Sequence, residues 1–329
     1  MHLFLLVAGT KMVLCWIALP VFAFLSIFSV RYRRLARESL KCLFKTAVMQ
    51  KCDSELNQKI RSDISGRLMK ISPGISKLFY NYYKIITFVL LIVLLLSAYF
   101  SIAGIYNYIK YGSCNGPSSD GFCIFDPTGK NSATSRVYGL NDWEIGKVVL
   151  PKVSTDDPII GNKNASLTII EFGCYQCPYT KKAEPIVQEV LEHYNGRVNL
   201  QFKSFEIPNH ALSYQTGLAA DCAYEQGADK YLKYHKKLFE NQENTTYFSM
   251  VDYAAEPEVG LDIKNFTACL VTEKYKNEVR NDTIEGLKAG VEGTPTFFIN
   301  GQKIVGPKPF KTFKAVIDDE LEKIEEQKG

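Results

Sequence analysis

Apolar and polar positions fall along this chain in three patterns: two long uncharged runs near the start, then strand-like runs, then helical spacing. Met12 to Val30 gives 19 uncharged residues and Ile85 to Ile109 gives 25. At a rise of about 1.5 Å per residue, either run can cross a hydrocarbon core of about 30 Å. Two membrane-spanning helices are therefore expected, within residues 1–30 and 85–110. The first run lacks a basic start and is followed at once by Arg31-Tyr32-Arg33-Arg34, the flank of an anchor rather than of a cleaved leader.

From Asp157 the pattern becomes that of a globular domain. Leu167 to Phe172 is an apolar run of strand length, and Pro178 to Tyr194 carries Ala183, Ile186, Val187, Val190 and Leu191 at helical spacing until Asn195-Gly196 stops it. Val198, Leu200 and Phe202 alternate with Asn199, Gln201 and Lys203, which predicts a second strand over 198–205, parallel to the first through a right-handed crossover. Residues 209–290 hold helical stretches at Ala211 to Gln226, Lys230 to Glu240 and Ile263 to Thr272, and so read as a helical insertion. Thr296 to Ile299, Asn300-Gly301 and Lys303 to Val305 predict a hairpin with a two-residue loop. Phe310 to Glu326 predicts a closing amphipathic helix. Between the second apolar run and this domain, residues 111–156 are rich in Gly, Ser, Asn, Asp and Pro and read as a linker. Trp143 and Val148-Val149-Leu150 leave room for part of it to dock.

Charge sorts these pieces by compartment. Residues 31–84 carry 13 Lys or Arg against 4 Asp or Glu, a balance of +9, whereas residues 145–329 carry 22 against 27. The basic segment is a cytoplasmic loop by the positive-inside rule, which places both termini and the domain of residues 157–329 outside the cytoplasm. Its position between two spans points to anionic lipid heads rather than nucleic acid.

The nine cysteines divide on the same lines. Cys15 falls in the first span, and Cys42 and Cys52 in the cytoplasmic loop, where thiols stay reduced. The other six lie outside and group as Cys114 with Cys123, Cys174 with Cys177, and Cys222 with Cys269, though six cysteines allow 15 connectivities. The first and last groups read as structural bridges. Cys174 and Cys177 sit where an apolar strand ends and Pro178 opens a helix. A thiol there faces the positive end of the helix dipole, which stabilises the thiolate that attacks disulfides. On this argument Cys177 is the attacking sulfur and Cys174 its resolving partner. A zinc site would need a second ligand pair, and His193, His210 and His235 are scattered, so neither metal nor organic cofactor is expected. Tyr175, Gln176 and Tyr179 flank the sulfurs and are expected to line a surface for unfolded chains, while Tyr224, Tyr231 and Tyr234 suit helix packing.

The order of elements, together with Asp157-Pro158-Ile159-Ile160-Gly161, Ile170-Glu171-Phe172, the cysteine segment, Ala220 to Gly227 and Gly293-Thr294-Pro295-Thr296, resembles the thioredoxin fold in its DsbA-like form. The resemblance covers about residues 157–326. It implies an α/β fold with a helical insertion, a cis bond between Thr294 and Pro295 that holds a backbone edge beside the reactive sulfur, and a buried acid at Glu171 that takes and returns a proton. One departure stands out. The family's first cysteine falls six residues after the strand-end acid, which is Cys177 here, and its second falls at Thr180. This chain instead carries its partner cysteine three residues upstream, at Cys174.

Together these readings describe a membrane-anchored extracytoplasmic thiol–disulfide oxidoreductase acting on cysteine-containing proteins, with a further membrane protein as its redox partner. Reductase or isomerase chemistry in place of oxidation is an alternative. So is a non-catalytic binding module, which Thr180 at the family's second cysteine position keeps open. A peroxide-reducing thiol enzyme is a weaker third, since nothing recognisable sets up a peroxide pocket.

Overall fold

The computed structural model describes residues 33, 37, 40, 41, 55–129, 133–136 and 148–327. The first expected span, Cys15, Cys42, Cys52 and Trp143 lie outside these. The chain divides into two compact units, residues 1–102 and 103–329. The segment expected as a basic loop contains helix α1 (Glu55–Ile71) and the first turns of helix α2 (Pro73–Tyr111). Within α2, Phe88–Tyr111 is, among the described residues, the stretch long and apolar enough to cross a membrane. Phe88, Val93, Leu95 and Leu96 are exposed there.

Among the described residues, the second unit is built on a five-stranded sheet: β2 (Ile159–Ile160), β3 (Leu167–Gly173), β4 (Val198–Ser204), β6 (Thr296–Ile299) and β7 (Gln302–Val305). Their order is β2-β4-β3-β6-β7. The pairing of β3 with β4 is parallel, with Leu167 opposite Val198, and joins through helix α3 (Pro178–Tyr194) as the crossover rule requires. The pairings of β6 with β3 and with β7 are antiparallel. Asn300 and Gly301 both take positive φ, 47° and 86°, the backbone a two-residue hairpin loop demands. Asn195 ends α3 in the left-handed region, and its N–H reaches the Leu191 carbonyl at 3.1 Å.

One sheet face buries Leu167, Ile169, Leu200, Phe297 and Ile299 against Ala183, Val187 and Val190 of α3 and against Phe313 and Ile317 of helix α9 (Phe310–Glu326). The other buries Ile170, Phe172 and Phe298 with Phe205 and Val291. The helical insertion holds α4 (Ser213–Tyr224), α5 (Ala228–Glu240), α6 (Tyr247–Ala255), α7 (Ile263–Val271) and α8 (Lys276–Lys288). Helices α6 and α8 are additions to the sequence reading. Cys222 of α4 and Cys269 of α7 are disulfide-bonded, as are Cys114 and Cys123.

Alternation along β4 misleads in one respect, because all seven residues are buried. The polar face is covered by the chain entering the domain. Gln201 exchanges hydrogen bonds with Ser154, and the Asn199 amide donates to the Asn162 carbonyl at 2.8 Å. Lys203 is buried among Asp157, Asp282 at 3.2 Å and Glu285 at 2.9 Å. Burial alone would lower the Lys203 pKa, but Asp282 and Asp157 hold it above its ordinary value. Glu285 also accepts from the Lys152 N–H at 2.9 Å. The end of the linker, at Lys152 and Ser154, is thus docked on the domain.

Candidate active site

Both site sulfurs arise from one junction. Strand β3 ends at Gly173, where an added Cβ would lie 2.5 Å from the Phe202 ring, so only glycine lets the chain leave the sheet so close to β4. A turn follows, closed by the Cys177 N–H donating to the Cys174 carbonyl at 2.9 Å. Cys177 is the N-cap of α3, at φ −82° and ψ 119°, with Pro178 next and no capping bond from its side chain. Gln242 pins the turn from outside, its amide donating to the carbonyls of Tyr175 at 2.7 Å and Cys177 at 2.9 Å. Cys174 and Cys177 are free thiols in one buried cluster with Ile170, Phe172 and Phe298.

The two thiols have different partners. Cys177 donates to the Thr294 carbonyl at 3.3 Å and to the Ser135 hydroxyl at 3.1 Å. Cys174 lies 3.3 Å from His210 Nδ1 and 3.2 Å from Ser213 Oγ. Ser213 Oγ also accepts from the Ile207 N–H at 2.9 Å, which leaves its own proton free to point at the Cys174 sulfur. Burial pushes the Cys174 thiol up to about 11, against the lowering effect of the Ser213 hydrogen bond. A thiol held protonated to that degree resolves a mixed disulfide only with a base beside it. His210 Nδ1 stands where such a base would act, and burial lowers its pKa, which favours the neutral ring.

Glu171 is fully buried, and neither of its carboxylate oxygens has a hydrogen-bond partner among the described residues. Burial first, then the charges of Glu184 and Cys177, raise its pKa well above the ordinary carboxylate range. A neutral Glu171 can yield its proton while Cys177 carries charge, the role the resemblance implied. The folded state binds this proton more tightly than the unfolded chain does, so ionisation costs stability as pH rises above the unfolded carboxyl value. Glu171→Gln is therefore expected to melt higher than the parent at pH 7–8. The gap widens with pH by at most about 1.4 kcal/mol per unit and vanishes below about pH 4. A constant gap from pH 4 to 8 would remove the buried acid from the account.

Thr294–Pro295 is cis, and the pair sits at the start of the hairpin, with Thr294 in strand β5 (Gly293–Thr294). Thr180 is buried, and its hydroxyl accepts from the Cys174 N–H at 3.5 Å. The position where the family carries its second sulfur thus supports the backbone of the relocated one. One expectation needs correction. Tyr175 lines no surface; it is buried in the helical insertion, its hydroxyl 2.9 Å from His235 Nδ1 and 3.1 Å from Tyr231. Cys177, close to it in the chain, has no exposed surface. His210 and Ser213 were missed by the sequence reading. Their only signal is their place just after β4, the strand parallel to the one that carries the cysteines.

A protein-family model described as Thioredoxin matches residues 153–319, and the chain belongs to that family. Its described structure is the sheet of that family carrying a helical insertion, with the paired free thiols Cys174 and Cys177 at the start of α3. Among curated proteins, the Na(+)/H(+) antiporter NhaA 1 of Mycobacterium sp. (strain KMS) is 28% identical over 180 residues, 52% of this chain and 29% of the antiporter. The Na(+)/H(+) antiporter NhaA 3 of Salinispora tropica is 28% identical over 171 residues, 52% of this chain and 26% of the antiporter. The chain thus spans less than a third of the length of these relatives. Among solved structures, oxidised BdbD from Bacillus subtilis aligns at 24% identity and TM-score 0.48, covering 54% of this chain and 100% of that one. The thiol-disulfide exchange protein alpha-DsbA2 from Wolbachia pipientis aligns at 21% and 0.46, covering 50% and 88%.

Proposed function

We propose that the protein is a membrane-anchored thiol–disulfide oxidoreductase whose domain, outside the cytoplasm, exchanges disulfides with cysteine-containing proteins through Cys177. The observation that carries this reading is the unequal pair: Cys177 at the helix start, and Cys174 with a base and a hydroxyl on its sulfur.

In the reducing direction, the Cys177 thiolate attacks a client disulfide, forms a mixed disulfide and releases one client thiolate. His210 then takes the Cys174 proton, and the Cys174 sulfur attacks Cys177. The 174–177 bond closes, and the second client sulfur leaves with the pair of electrons. In the oxidising direction the same steps run backwards. A client thiolate opens the 174–177 bond at Cys177, and Cys174 is reprotonated as it leaves. Continuous oxidation needs a membrane partner to restore the disulfide, and continuous reduction needs one to supply thiols. The anchoring is supported by the apolar segment Phe88–Tyr111, and the orientation by the basic balance of residues 31–84.

His210→Gln tests the mechanism. The first attack is expected to keep its rate, while resolution slows by about a hundredfold, seen as a long-lived mixed disulfide in acid-quenched time courses. In the parent, resolution should fall only below the ordinary histidine value of about 6.5, where His210 gains a proton. Equal slowing of both steps would leave His210 without a role as base. The binding-module reading draws support from the complete burial of Cys177. It requires client affinity to survive Cys177→Ser with no covalent intermediate in the parent.

A further inference from the structure

The edge beside the reactive sulfur is not empty. Strand β1 (Ser135–Arg136), from the linker, pairs antiparallel with β5, Ser135 opposite Thr294 and Arg136 opposite Gly293. Ser135 is also the residue whose side chain meets the thiol, with Cys177 Sγ donating to its Oγ at 3.1 Å. One short strand therefore does two things at once. It takes the backbone edge of Gly293–Thr294, and it places a side-chain heteroatom on the nucleophile. A client cysteine about to be attacked must do the same two things. Serine in that place makes the contact but cannot form the bond.

The linker is fastened before and after this strand. Upstream, the Cys114–Cys123 loop is tied to the hairpin: the Val305 N–H donates to the Pro117 carbonyl at 3.0 Å. Lys308, fully buried, donates to the Ser119 carbonyl at 2.7 Å and to the Ser113 hydroxyl at 3.3 Å. The Ala133 N–H donates to the Gly129 carbonyl at 2.9 Å. Downstream, the Val149 N–H donates to the Lys288 carbonyl at 2.9 Å. Held at both ends, the strand stays beside Cys177 at a high effective concentration. Its two paired residues make a short ladder, weak enough for a longer client strand to displace.

We propose that residues 133–136 form a built-in pseudosubstrate strand, which covers Cys177 at rest and marks the register in which a client binds. The partner that fits is an extended peptide segment, antiparallel to Gly293–Thr294, with its cysteine in the place of Ser135. This rests on Cys177 being the attacking sulfur. It accounts for the burial of that sulfur without abandoning catalysis, since the cover is a strand of the kind the site must exchange for a client.

The test is chemical and uses the full chain. In a Cys174→Ser background, Ser135→Cys places a thiol where the serine stands. With oxidised glutathione, Cys177 attacks and releases one glutathione thiolate. The sulfur at position 135 then attacks Cys177 and releases the second, so two protein thiols become a disulfide as one glutathione disulfide becomes two thiols. Non-reducing peptide mapping is expected to find the 135–177 link, formed about tenfold or more faster than from Thr134→Cys, whose side chain points to the opposite face of an extended strand. In the same background, Ser135→Pro takes away the Ser135 N–H and the hydroxyl that meets Cys177, and alkylation of Cys177 by iodoacetamide is expected to speed up about tenfold. The pseudosubstrate is overturned if the link does not form, or if Ser135→Pro leaves alkylation unchanged, while an added cysteine peptide still traps on Cys177. If the peptide fails to trap as well, the oxidoreductase reading falls with it.

Discussion

Cys177→Ser is expected to abolish disulfide exchange, by about a thousandfold or more, while Cys174→Ser leaves the first attack intact and strands the protein as a mixed disulfide. The asymmetry follows from position. Cys177 is the last residue before α3 and its sulfur touches the Gly293–Thr294 edge, so a client held there meets this sulfur first. Cys174 is 2% exposed, and its pKa of about 11 leaves almost no thiolate at neutral pH until His210 accepts its proton. On the proposed mechanism, serine at 177 removes the sulfur that begins the reaction, since a hydroxyl does not exchange with disulfides. The check is a turnover assay on a fluorescent disulfide peptide, with intact-mass analysis of what stays bound. A mixed disulfide trapped on Cys177→Ser, or none trapped on Cys174→Ser, would refute the division of labour.

The second large effect is on stability. Lys203→Met is expected to cost about 3–5 kcal/mol, because it leaves Asp157 and Asp282 buried beside each other with no cation between them. For a unit of this size, thermal unfolding moves by about 2–4 °C per kcal/mol, so a drop of roughly 10 °C should be visible by circular dichroism. Part of the loss should return in mildly acidic buffer, where protonation relieves the stranded carboxylates. The same cluster positions the site. Asp282 accepts from the Ser204 N–H at 2.9 Å, and the Thr283 hydroxyl accepts from the Glu206 N–H at 3.0 Å. Together they fix the end of β4, from which the chain runs on to His210 and Ser213. Exchange in Lys203→Met should therefore weaken chiefly in the resolving step. An unchanged melting temperature would mean that the cluster is not what holds the linker and α8 to β4.

Where local pattern decides structure, the sequence was a sound guide. Pro178 to Tyr194, the Asn300-Gly301 hairpin and Phe310 to Glu326 each depend on spacing or turn chemistry within a few residues; both helices take their expected bounds, and the second hairpin strand begins one residue earlier, at Gln302. The cysteines at the strand–helix junction were legible for the same reason. What stayed hidden depends on segments far apart in the chain. Asn199, Gln201 and Lys203 alternate as a solvated strand face would, and only the linker folded over them makes that face internal. His210 lies 36 residues from Cys174, and no spacing rule joins them. Ser135 lies 42 residues before Cys177, in a segment whose composition reads as tether. Tyr175 shows the converse. Its place beside the sulfurs suggested a binding surface, but its ring faces away into Phe202, Phe239 and His235 of the insertion core.

The central claim is that Cys174 and Cys177 form one reversible two-electron couple, separate from the structural bridges. The most direct test equilibrates the full chain across glutathione redox buffers, quenches with acid, alkylates, and maps the linkages by mass spectrometry. A single transition is expected in which a 174–177 disulfide appears and disappears while the 114–123 and 222–269 bridges persist throughout. Cys174 or Cys177 linked instead to Cys222, Cys269, Cys114 or Cys123, or both remaining thiols under every condition, would contradict it.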